Sequence, residues 1–163
     1  MVEAKVTYAI CILREDGGSG VNGLVKLRQE EGQQVELKAE IKGLSAGLHG
    51  FHIHQFGNLT EGCKTAGPHY NPEGVVHGGP ETQVRHVGDL GNILSQGNGQ
   101  DVHVMKDRLV NILDVLGRSF VVHAGEDDLG QGVGDKADES KKTGNAGARL
   151  ACGVIGISGP FDW

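Results

Sequence analysis

The clearest structural signal in this chain lies in the run Val35-Glu36-Leu37-Lys38-Ala39-Glu40-Ile41-Lys42, where apolar and charged residues alternate strictly. Successive side chains of a β-strand point to opposite faces, so the run predicts an antiparallel strand with one buried and one solvated face. Similar apolar stripes run through residues 4–12 and 21–27, and turn signals at 17–20 and 30–32 separate the three segments. The first quarter of the chain is therefore predicted to be a series of antiparallel strands.

Shorter strand candidates follow at 48–55, 84–88, 101–105, 120–123 and 149–157. Eight short strands separated by turns predict an all-β fold, an eight-stranded antiparallel sandwich or barrel. Segment 107–116 fits a short helix and a strand equally well, because its apolar residues also follow a helical spacing. No internal repeat or linker is visible, so residues 1–163 are predicted to form a single domain.

Composition and charge exclude several classes of protein. The 28 glycines among 163 residues disfavour a mostly helical fold, since an interior glycine costs a helix about 0.5–1 kcal/mol relative to alanine. A net charge of −6 argues against nucleic acid or an anionic membrane as a general partner. No apolar run reaches the length of a transmembrane helix, and the first residues lack the apolar core of a signal peptide, so a cytoplasmic location is expected.

Two segments, 55–85 and 124–147, have no periodicity and contain six glycines each. Loops of this length are uncommon in a compact domain unless they are functional or disordered. By composition alone, 124–147 also fits a solvated acidic loop. The three cysteines, Cys11, Cys63 and Cys152, are an odd number that permits one disulfide without requiring it, since cytosolic thiols usually stay reduced.

Histidines give the strongest functional signal, because five of the eight flank or lie within the first long loop. In Phe51-His52-Ile53-His54 a strand places both imidazoles on one face, where they can chelate a metal or simply form a polar surface. His123 ends an apolar run and fits either a ligand or a structural residue, whereas His49 and His103 fit no set. We expect His103, which alternates with two valines, to face solvent.

A second group of histidines follows at irregular spacing that suits a loop folded around an ion. Its members are His69, His77, His86 and Asp89. Three imidazoles and one carboxylate form the tetrahedral set that Zn²⁺ accepts. Scattered surface histidines are the alternative, but each histidine stands beside glycine, proline or another turn residue.

Five motifs together resemble the copper/zinc superoxide dismutase family, in the family's order and over essentially the whole chain. They are Gly50-Phe51-His52-Ile53-His54, Gly67-Pro68-His69-Tyr70-Asn71-Pro72, His77-Gly78-Gly79-Pro80, Arg85-His86-Val87-Gly88-Asp89-Leu90-Gly91-Asn92 and Gly144-Asn145-Ala146-Gly147-Ala148-Arg149-Leu150-Ala151-Cys152-Gly153. The resemblance implies an eight-stranded Greek-key barrel of immunoglobulin-like architecture with two long functional loops. It also implies an antioxidant enzyme that dismutes superoxide to oxygen and hydrogen peroxide.

The resemblance assigns a role to each matching residue. It implies one copper held by His52, His54, His69 and His123, and one zinc held by His69, His77, His86 and Asp89. His69 would bridge both ions and carry a proton, Arg149 would hold the anion beside copper, and Asp127 would hydrogen-bond ligands of both metals. Without the resemblance, Asp127 reads equally well as part of an acidic loop surface.

The family pattern also includes residues that guide the anionic substrate, a disulfide bond and a subunit contact. Asp138, Glu139, Lys142 and Thr143 match the loop that shapes the electric field for the anion. Cys63 and Cys152 match the family's disulfide, which leaves Cys11 as a buried thiol. Segments 57–62 and 153–157 resemble its homodimer contact, and a copper chaperone is expected to load the metal.

The chain departs from the family pattern in three places. Segment 106–118 is short, although the family implies a strand and a Greek-key connection there; Asn58-Leu59-Thr60 alters a usually acidic loop; and 158–163 extends the common C-terminus. Two alternatives remain open to test. A copper chaperone with a related domain would carry a separate Met-x-Cys-x-x-Cys domain, which this sequence lacks, and a purely structural zinc protein would not need His52, His54 and His123.

Overall fold

The computed structural model describes residues 2–163, which form nine strands and two one-turn α-helices. In chain order they are β1 (Val6–Glu15), β2 (Asn22–Glu30), β3 (Val35–Lys42), β4 (Gly47–His54), β5 (Thr60–Cys63), β6 (Asp89–Ser95), β7 (Gln100–Asp107), α1 (Ile112–Val115), β8 (Ser119–His123), α2 (Ala137–Ser140) and β9 (Arg149–Ser158). Two 3-10 turns, Lys64–Ala66 and Gly134–Lys136, lie in the long loops.

Every strand except β5 joins one antiparallel sheet with the order β6-β4-β8-β9-β1-β2-β3-β7. β6 and β7 are consecutive in sequence yet stand at opposite ends of this order, so their short connection brings the two ends of the sheet together. The sheet therefore curls into a nearly closed barrel. The chain crosses over between β3 and β4, as a Greek key requires, and the predicted all-β fold is confirmed.

Strand β3 shows why the alternating run is informative. Val35, Leu37, Ala39 and Ile41 are buried in the core, while the charged residues between them lie on the outer face. Most of the other predicted strands are also present, with shifted ends.

The predicted strand at 84–88 is wrong, because the structure places this segment in a loop and begins β6 at Asp89. The Arg85 guanidinium turns inward to form a bidentate salt bridge with Asp107, and the backbone amide of His86 donates to Asp89. These buried polar contacts, rather than a strand ladder, fix the segment.

The ambiguous segment 107–116 is neither a continuous helix nor a strand. It forms most of the connection from β7 to β8 and contains only the one-turn helix α1. The side chain of Asn111 caps that helix by accepting from the Leu113 amide at 3.0 Å, while Ile112 and Val115 fill the core. The predicted helix and the predicted strand both rested on the spacing of the apolar residues, but neither prediction included a one-turn helix capped by Asn111.

The C-terminal segment folds back over the outer face of β1, β2 and β3. The Phe161 ring packs edge-on against Tyr8 with centroids 5.1 Å apart, and the Arg28 guanidinium lies 4.2 Å from the centre of the Trp163 ring. Lys38 Nζ donates to the Trp163 oxygen at 2.9 Å. The segment is thus a docked strap, which we call the aromatic strap (159–163).

Two devices order the long loops. A disulfide joins Cys63 to Cys152, with Cα atoms 5.7 Å apart, and so ties the 55–85 loop to β9 as predicted. In the 124–147 loop, Asp128 accepts hydrogen bonds from Ser140 Oγ at 2.6 Å and from Asn145 Nδ2 at 2.8 Å. Cys11 is a buried free thiol, and burial raises its pKa to about 12.

Candidate metal centre

Strand β4 separates its apolar and its metal-binding side chains by simple alternation. Phe51 and Ile53 are fully buried in the barrel core, whereas His52 and His54 point to the other face, beneath the two long loops. The residues that share this face therefore come from β4 and from whatever the loops bring over it.

Four histidines meet on that face, and we call them the four-histidine cluster: His52, His54, His69 and His123. His69 arrives because the 55–85 loop pairs with the end of β4, with the amides of Gln55 and Tyr70 donating at 2.8 Å to Pro68 and Ile53. His123 is the last residue of β8. One donor atom from each residue lies within 4.8 Å of the others, and all four are buried.

The ring orientations in this cluster leave nitrogen lone pairs facing one another. His54 Nδ1 donates to the Gly67 carbonyl at 2.7 Å and His123 Nδ1 donates to the Gly147 carbonyl at 3.0 Å. Their Nε2 atoms are then unprotonated in the neutral rings, yet they stand only 3.3 Å apart. Two facing lone pairs repel, so this arrangement of neutral rings suits a cation shared between them.

A second group, which we call the Asp89 cluster, comprises His69, His77, His86 and Asp89. The Nδ1 atoms of its three histidines lie 3.0, 2.9 and 3.1 Å from the same carboxylate oxygen, Oδ1 of Asp89. The other oxygen, Oδ2, accepts from the amides of Gly78 and His86 at 2.9 and 2.8 Å, which fixes the carboxylate. His69 belongs to both clusters: its Nδ1 faces Asp89, so its Nε2 is left for the four-histidine cluster.

Asp127 links the two clusters. Its Oδ2 accepts from His52 Nε2 at 2.6 Å, and its Oδ1 accepts from His77 Nε2 at 2.7 Å. Asn92 holds Asp127 in turn, because its amide donates to the Asp127 carbonyl at 2.9 Å and accepts from the Asp127 amide at 2.7 Å. Gly144, at φ +74°, lies so close to Asp127 and His77 that a Cβ atom would clash with both.

Because Asp127 fixes the Nε2 protons of His52 and His77, it leaves both Nδ1 atoms free for the clusters. Within residues 2–163, the Nδ1 atoms of His52 and His77 are buried and make no hydrogen bond of acceptable geometry. His77 Nδ1 nevertheless lies 2.9 Å from Asp89, and we take this proximity as a shared ion site. Sequence reasoning found Asp127 only through the family resemblance and found no role for Asn92, which carries no metal-ligand signal of its own.

The pKa values differ in direction between the two clusters. Burial, reinforced by repulsion from the His69 ring, lowers the pKa of His52 and His54 well below the usual value. The same two causes lower the pKa of His123 to about 4. Burial also opposes charge on His77, but the adjacent carboxylates of Asp127 and Asp89 outweigh it and raise its pKa to about 9. The four-histidine cluster therefore presents neutral rings, whereas the Asp89 cluster is built around charge.

These donor sets match two metals of different character. Imidazole nitrogen ligands suit copper, whose divalent form binds nitrogen sites more strongly than zinc does. Three imidazoles and one carboxylate are a common tetrahedral set for Zn²⁺. The orphaned His52 Nδ1 and the facing Nε2 atoms of His54 and His123 show that the residues present fit such ions.

An open pocket of about 520 Å³ leads from solvent to the four-histidine cluster. His54, His69 and His123 line its inner end, and Arg149 and Lys142 line its wall. Arg149 is half-buried, and its Nη1 donates to the carbonyl of Cys63 at 2.8 Å. A cation is thus fixed beside the cluster, where an anion entering from solvent would meet it.

The four residues expected to guide an anion are only partly brought together. Glu139, Lys142 and Thr143 line the pocket, and Thr143 Oγ1 donates to a Glu139 carboxylate oxygen at 3.0 Å. Asp138 is exposed on α2 and does not line it. A larger groove of about 1010 Å³ adjoins this pocket, shares His69 and Lys142 with it and reaches His86, but Arg149 is not part of that groove.

The two histidines outside the clusters have different positions. The prediction that His103 faces solvent is wrong: it is half-buried, while Val102 and Val104 are 57% and 59% exposed. Alternation alone does not say which face of β7 is buried, and here the polar face turns inward. His49 is fully enclosed on the core face of β4.

Comparison with known proteins gives one consistent result. The family model described as "Copper/zinc superoxide dismutase (SODC)" matches residues 21–155. The chain is 50% identical over 157 residues to an "Extracellular superoxide dismutase [Cu-Zn]" of Brugia pahangi, covering 94% of this chain and 78% of that protein. It is 53% identical over 158 residues to a "Superoxide dismutase [Cu-Zn]" of Kluyveromyces lactis, covering 92% and 97%.

A relative from another functional class is nearly as similar. The chain is 49% identical over 151 residues to a "Copper chaperone for superoxide dismutase" of Sus scrofa, covering 92% of this chain but only 53% of that protein. Among residues 2–163, no helix has the length and apolar character needed to cross a membrane.

Proposed function

The chain belongs to the copper/zinc superoxide dismutase family, and we propose that it dismutes superoxide to oxygen and hydrogen peroxide at the four-histidine cluster. Membership makes it an oxidoreductase of this type with copper and zinc as its cofactors. The observation that carries the proposal is the pair of bare Nε2 atoms on His54 and His123, 3.3 Å apart at the inner end of a pocket with a cationic wall.

We assign the copper to His52, His54, His69 and His123, and the zinc to His69, His77, His86 and Asp89. When bound, copper would supply the one-electron redox chemistry that zinc lacks. Asp127 supports this assignment, because it orients one ring of each cluster through hydrogen bonds of 2.6 and 2.7 Å. Such outer hydrogen bonds fix the tautomer of a ligating histidine.

Arg149 would bind the anionic substrate. Its guanidinium lines the pocket beside His123 and is held in place by the Cys63 carbonyl. The whole chain carries a charge of −6, which repels superoxide, so the local charges of Arg149 and Lys142 must outweigh that repulsion. Asp138, Glu139 and Thr143 would shape this field from the same loop.

His69 would hold and move the proton that product formation requires. Its Nδ1 is engaged by the Asp89 cluster, while its Nε2 faces the four-histidine cluster at the inner end of the pocket. A proton on Nε2 would therefore be within reach of a bound anion. The Asp89 cluster would keep the ring in place during this exchange.

A homodimer is the assembly that the surface supports. The loop 57–62 lies against β9, because a Cβ atom on Gly57 would be 3.3 Å from Val154 Cγ1. Phe56, which precedes this loop, and Val154 and Ile157 on β9 are 47%, 44% and 72% exposed, and exposed apolar residues of this kind are what a subunit contact would cover. Val154→Lys should lower the mass measured by light scattering from dimer to monomer, and Val102→Lys on β7 should not.

We further propose that residues 1–163 act as one domain in the cytoplasm and receive copper from a chaperone. Because the relative from Brugia pahangi is named as extracellular, the location is tested by fractionating the source cells. Recovery of the protein only from the medium would contradict the cytoplasmic location.

The enzyme is distinguished from a copper carrier by measuring metal content and superoxide decay on one preparation. We expect one copper and one zinc per chain and a large acceleration of decay by catalytic amounts of protein. A chain that binds both metals without accelerating decay would contradict the proposed enzyme and favour the carrier.

A further inference from the structure

The larger groove, beside the pocket that leads to the four-histidine cluster, has no part in the proposed reaction. Its volume is about 1010 Å³, and its walls come from the 55–85 loop, from Arg118 just before β8 and from the 124–147 loop. Pockets that hold drug-sized ligands measure about 300–1,000 Å³. The groove is therefore large enough for an organic molecule, far larger than diatomic superoxide.

Three valines give this groove an apolar surface, and we therefore call it the valine groove. They are Val75, Val76 and Val84, of which Val76 is 49% and Val84 is 52% exposed. The turn that carries the first two is already fixed, because Asn71 Nδ2 donates to the Val75 carbonyl at 2.9 Å and Asn71 Oδ1 accepts from the Val75 amide at 3.1 Å. Exposed apolar side chains gathered in a preformed concave surface are typical of a ligand site.

Three cations line the same groove: Arg118, Lys141 and Lys142. Within residues 2–163, none of the three forms a salt bridge, and no aspartate or glutamate lines the groove. Glu73 belongs to the same turn as Val75 but is exposed outside the lining. The valine groove is thus locally positive on a chain whose total charge is −6.

Arg118 is held so that part of its guanidinium stays free. The guanidinium carbon lies 3.9 Å from the centre of the Tyr70 ring. Nε and Nη1 donate to the carbonyls of Asp114 and Gln55 at 2.9 and 3.0 Å, and in the described part of the chain Nη2 has no protein acceptor. A guanidinium fixed in this way can donate to a carboxylate with little further loss of side-chain freedom.

The backbone places the lysines beside the valines. The His77 amide donates to the Lys141 carbonyl at 2.8 Å, and Val76 directly precedes His77. We propose that the valine groove binds a free organic acid with an apolar chain, of which a medium-chain fatty acid is the simplest example. Its carboxylate would contact the three cations and its chain the three valines. The net charge of the protein disfavours an anionic membrane, so the ligand is the acid in solution.

Lys142 would connect a bound acid to the reaction, because it lines both the valine groove and the pocket of Arg149. A carboxylate at Lys142 would offset positive charge on the pocket wall and slow the arrival of an anion. This consequence rests on the proposed function: saturating octanoate should slow superoxide decay more than sodium chloride at the same ionic strength. An equal effect of the two salts would exclude this route, and the binding experiment tests the groove itself.

Octanoate is the binding probe, and acetate offers the same carboxylate without the chain. Each is titrated into protein loaded with zinc and with Cu⁺, which is diamagnetic, while nuclear magnetic resonance follows the valine methyl groups. We expect saturable shifts at Val76 and Val84 with octanoate. Acetate should bind about tenfold or more weakly, because it buries no chain.

Variants test the two halves of the valine groove separately. Val84→Asp should weaken octanoate binding about tenfold or more, whereas Val102→Asp, at a similarly exposed position on β7, should not. Arg118→Gln should weaken it about tenfold. Because Arg118 also holds the Gln55 carbonyl, Lys141→Gln is the second charge variant and should weaken binding about two- to fivefold.

Four results would overturn the proposal. The first is the absence of saturable shifts with octanoate, and the second is equal affinity for octanoate and acetate, which would indicate adventitious ion binding only. The third is loss of octanoate binding in Arg149→Ile, which would place the acid in the pocket beside the four-histidine cluster. The fourth is a set of valine shifts that depend on protein concentration without octanoate, which would show that a second copy of the chain covers the groove.

Discussion

Arg149 Nη1 donates a hydrogen bond of 2.8 Å to the carbonyl oxygen of Cys63, a residue of the single disulfide formed within residues 2–163. The bond joins the cation at the mouth of the pocket to the covalent link between the 55–85 loop and β9. The disulfide therefore positions the charge beside the four-histidine cluster in addition to stabilising the fold.

Breaking the disulfide should lower activity through Arg149. Cys152→Ser removes the cross-link between two positions that are 89 residues apart in sequence. Because the unfolded chain then gains conformational freedom, the free energy of unfolding should fall by about 2–4 kcal/mol. Where the variant remains folded and loaded with both metals, the loosened Cys63 carbonyl should leave a lower rate of superoxide decay. A metal-loaded, folded variant with the wild-type rate would contradict this coupling.

Replacing Arg149 should separate metal binding from anion binding. Arg149→Ile leaves both clusters intact and should retain copper and zinc while the decay rate falls about tenfold or more. The rate should also depend less on ionic strength, because a local positive charge has been removed. Arg149→Lys is the matched control and should keep much of the salt dependence; loss of metal from the isoleucine variant would instead indicate a structural role.

Asp127 should matter to both metals at once. Asp127→Asn cannot accept from His52 and His77 with the same charge, so affinity for copper and zinc should each fall about 10- to 100-fold. Competition with chelators measures the two affinities separately. Glu126→Gln removes the neighbouring exposed carboxylate and should change neither. A loss confined to one metal would contradict the role of Asp127 as the link between clusters.

Acid should destabilise the metal-free chain through the four-histidine cluster. The pKa of His123 is about 4 in the folded chain and near 6.5 when unfolded, so unfolding takes up protons between these values. The stabilisation is complete above pH 6.5 and is lost as pH falls towards 4. His77 acts in the opposite sense: its contribution is complete below pH 6.5 and disappears as pH rises through about 9.

Urea unfolding of the metal-free chain across this pH range measures both effects. His123→Gln should flatten the acid side of the stability curve, by up to about 3 kcal/mol at pH 4, without changing the alkaline side. His77→Gln should flatten the alkaline side. An acid side that is equally steep with and without His123 would contradict the assignment.

The all-β fold and the shared face of His52 and His54 could be predicted because they depend on local patterns. Alternation in β3 predicts which of its faces is buried, and His-x-His in β4 predicts that both imidazoles lie on one face. The grouping of the other histidines with Asp89 was expected only from the family resemblance together with the donor set, because their spacing in the sequence is irregular. The loop conformation of segment 84–88 could not be predicted from the local sequence. A buried salt bridge between Arg85 and Asp107 fixes it, and these two residues are far apart in the sequence. His49, His103 and Asn92 were missed for a similar reason: their roles lie in long-range contacts with backbone carbonyls, opposing strands and Asp127.

The aromatic strap provides a stability prediction specific to this chain. Trp163 lies under the Arg28 guanidinium, and an exposed cation–π contact contributes about 0.5–1 kcal/mol. Trp163→Ala should therefore lower the free energy of unfolding by about 1 kcal/mol and leave superoxide decay unchanged, since the strap lies on the outer face of β1–β3.

Because Trp163 is the only tryptophan, its fluorescence also reports docking of the aromatic strap directly. Phe161→Ala should release the aromatic strap and so shift the Trp163 emission to the red. The control is Val133→Ala in the 124–147 loop, where the side chain is 80% exposed; it should not shift the emission. A native emission spectrum identical to that of the urea-unfolded chain would show that the strap is not docked.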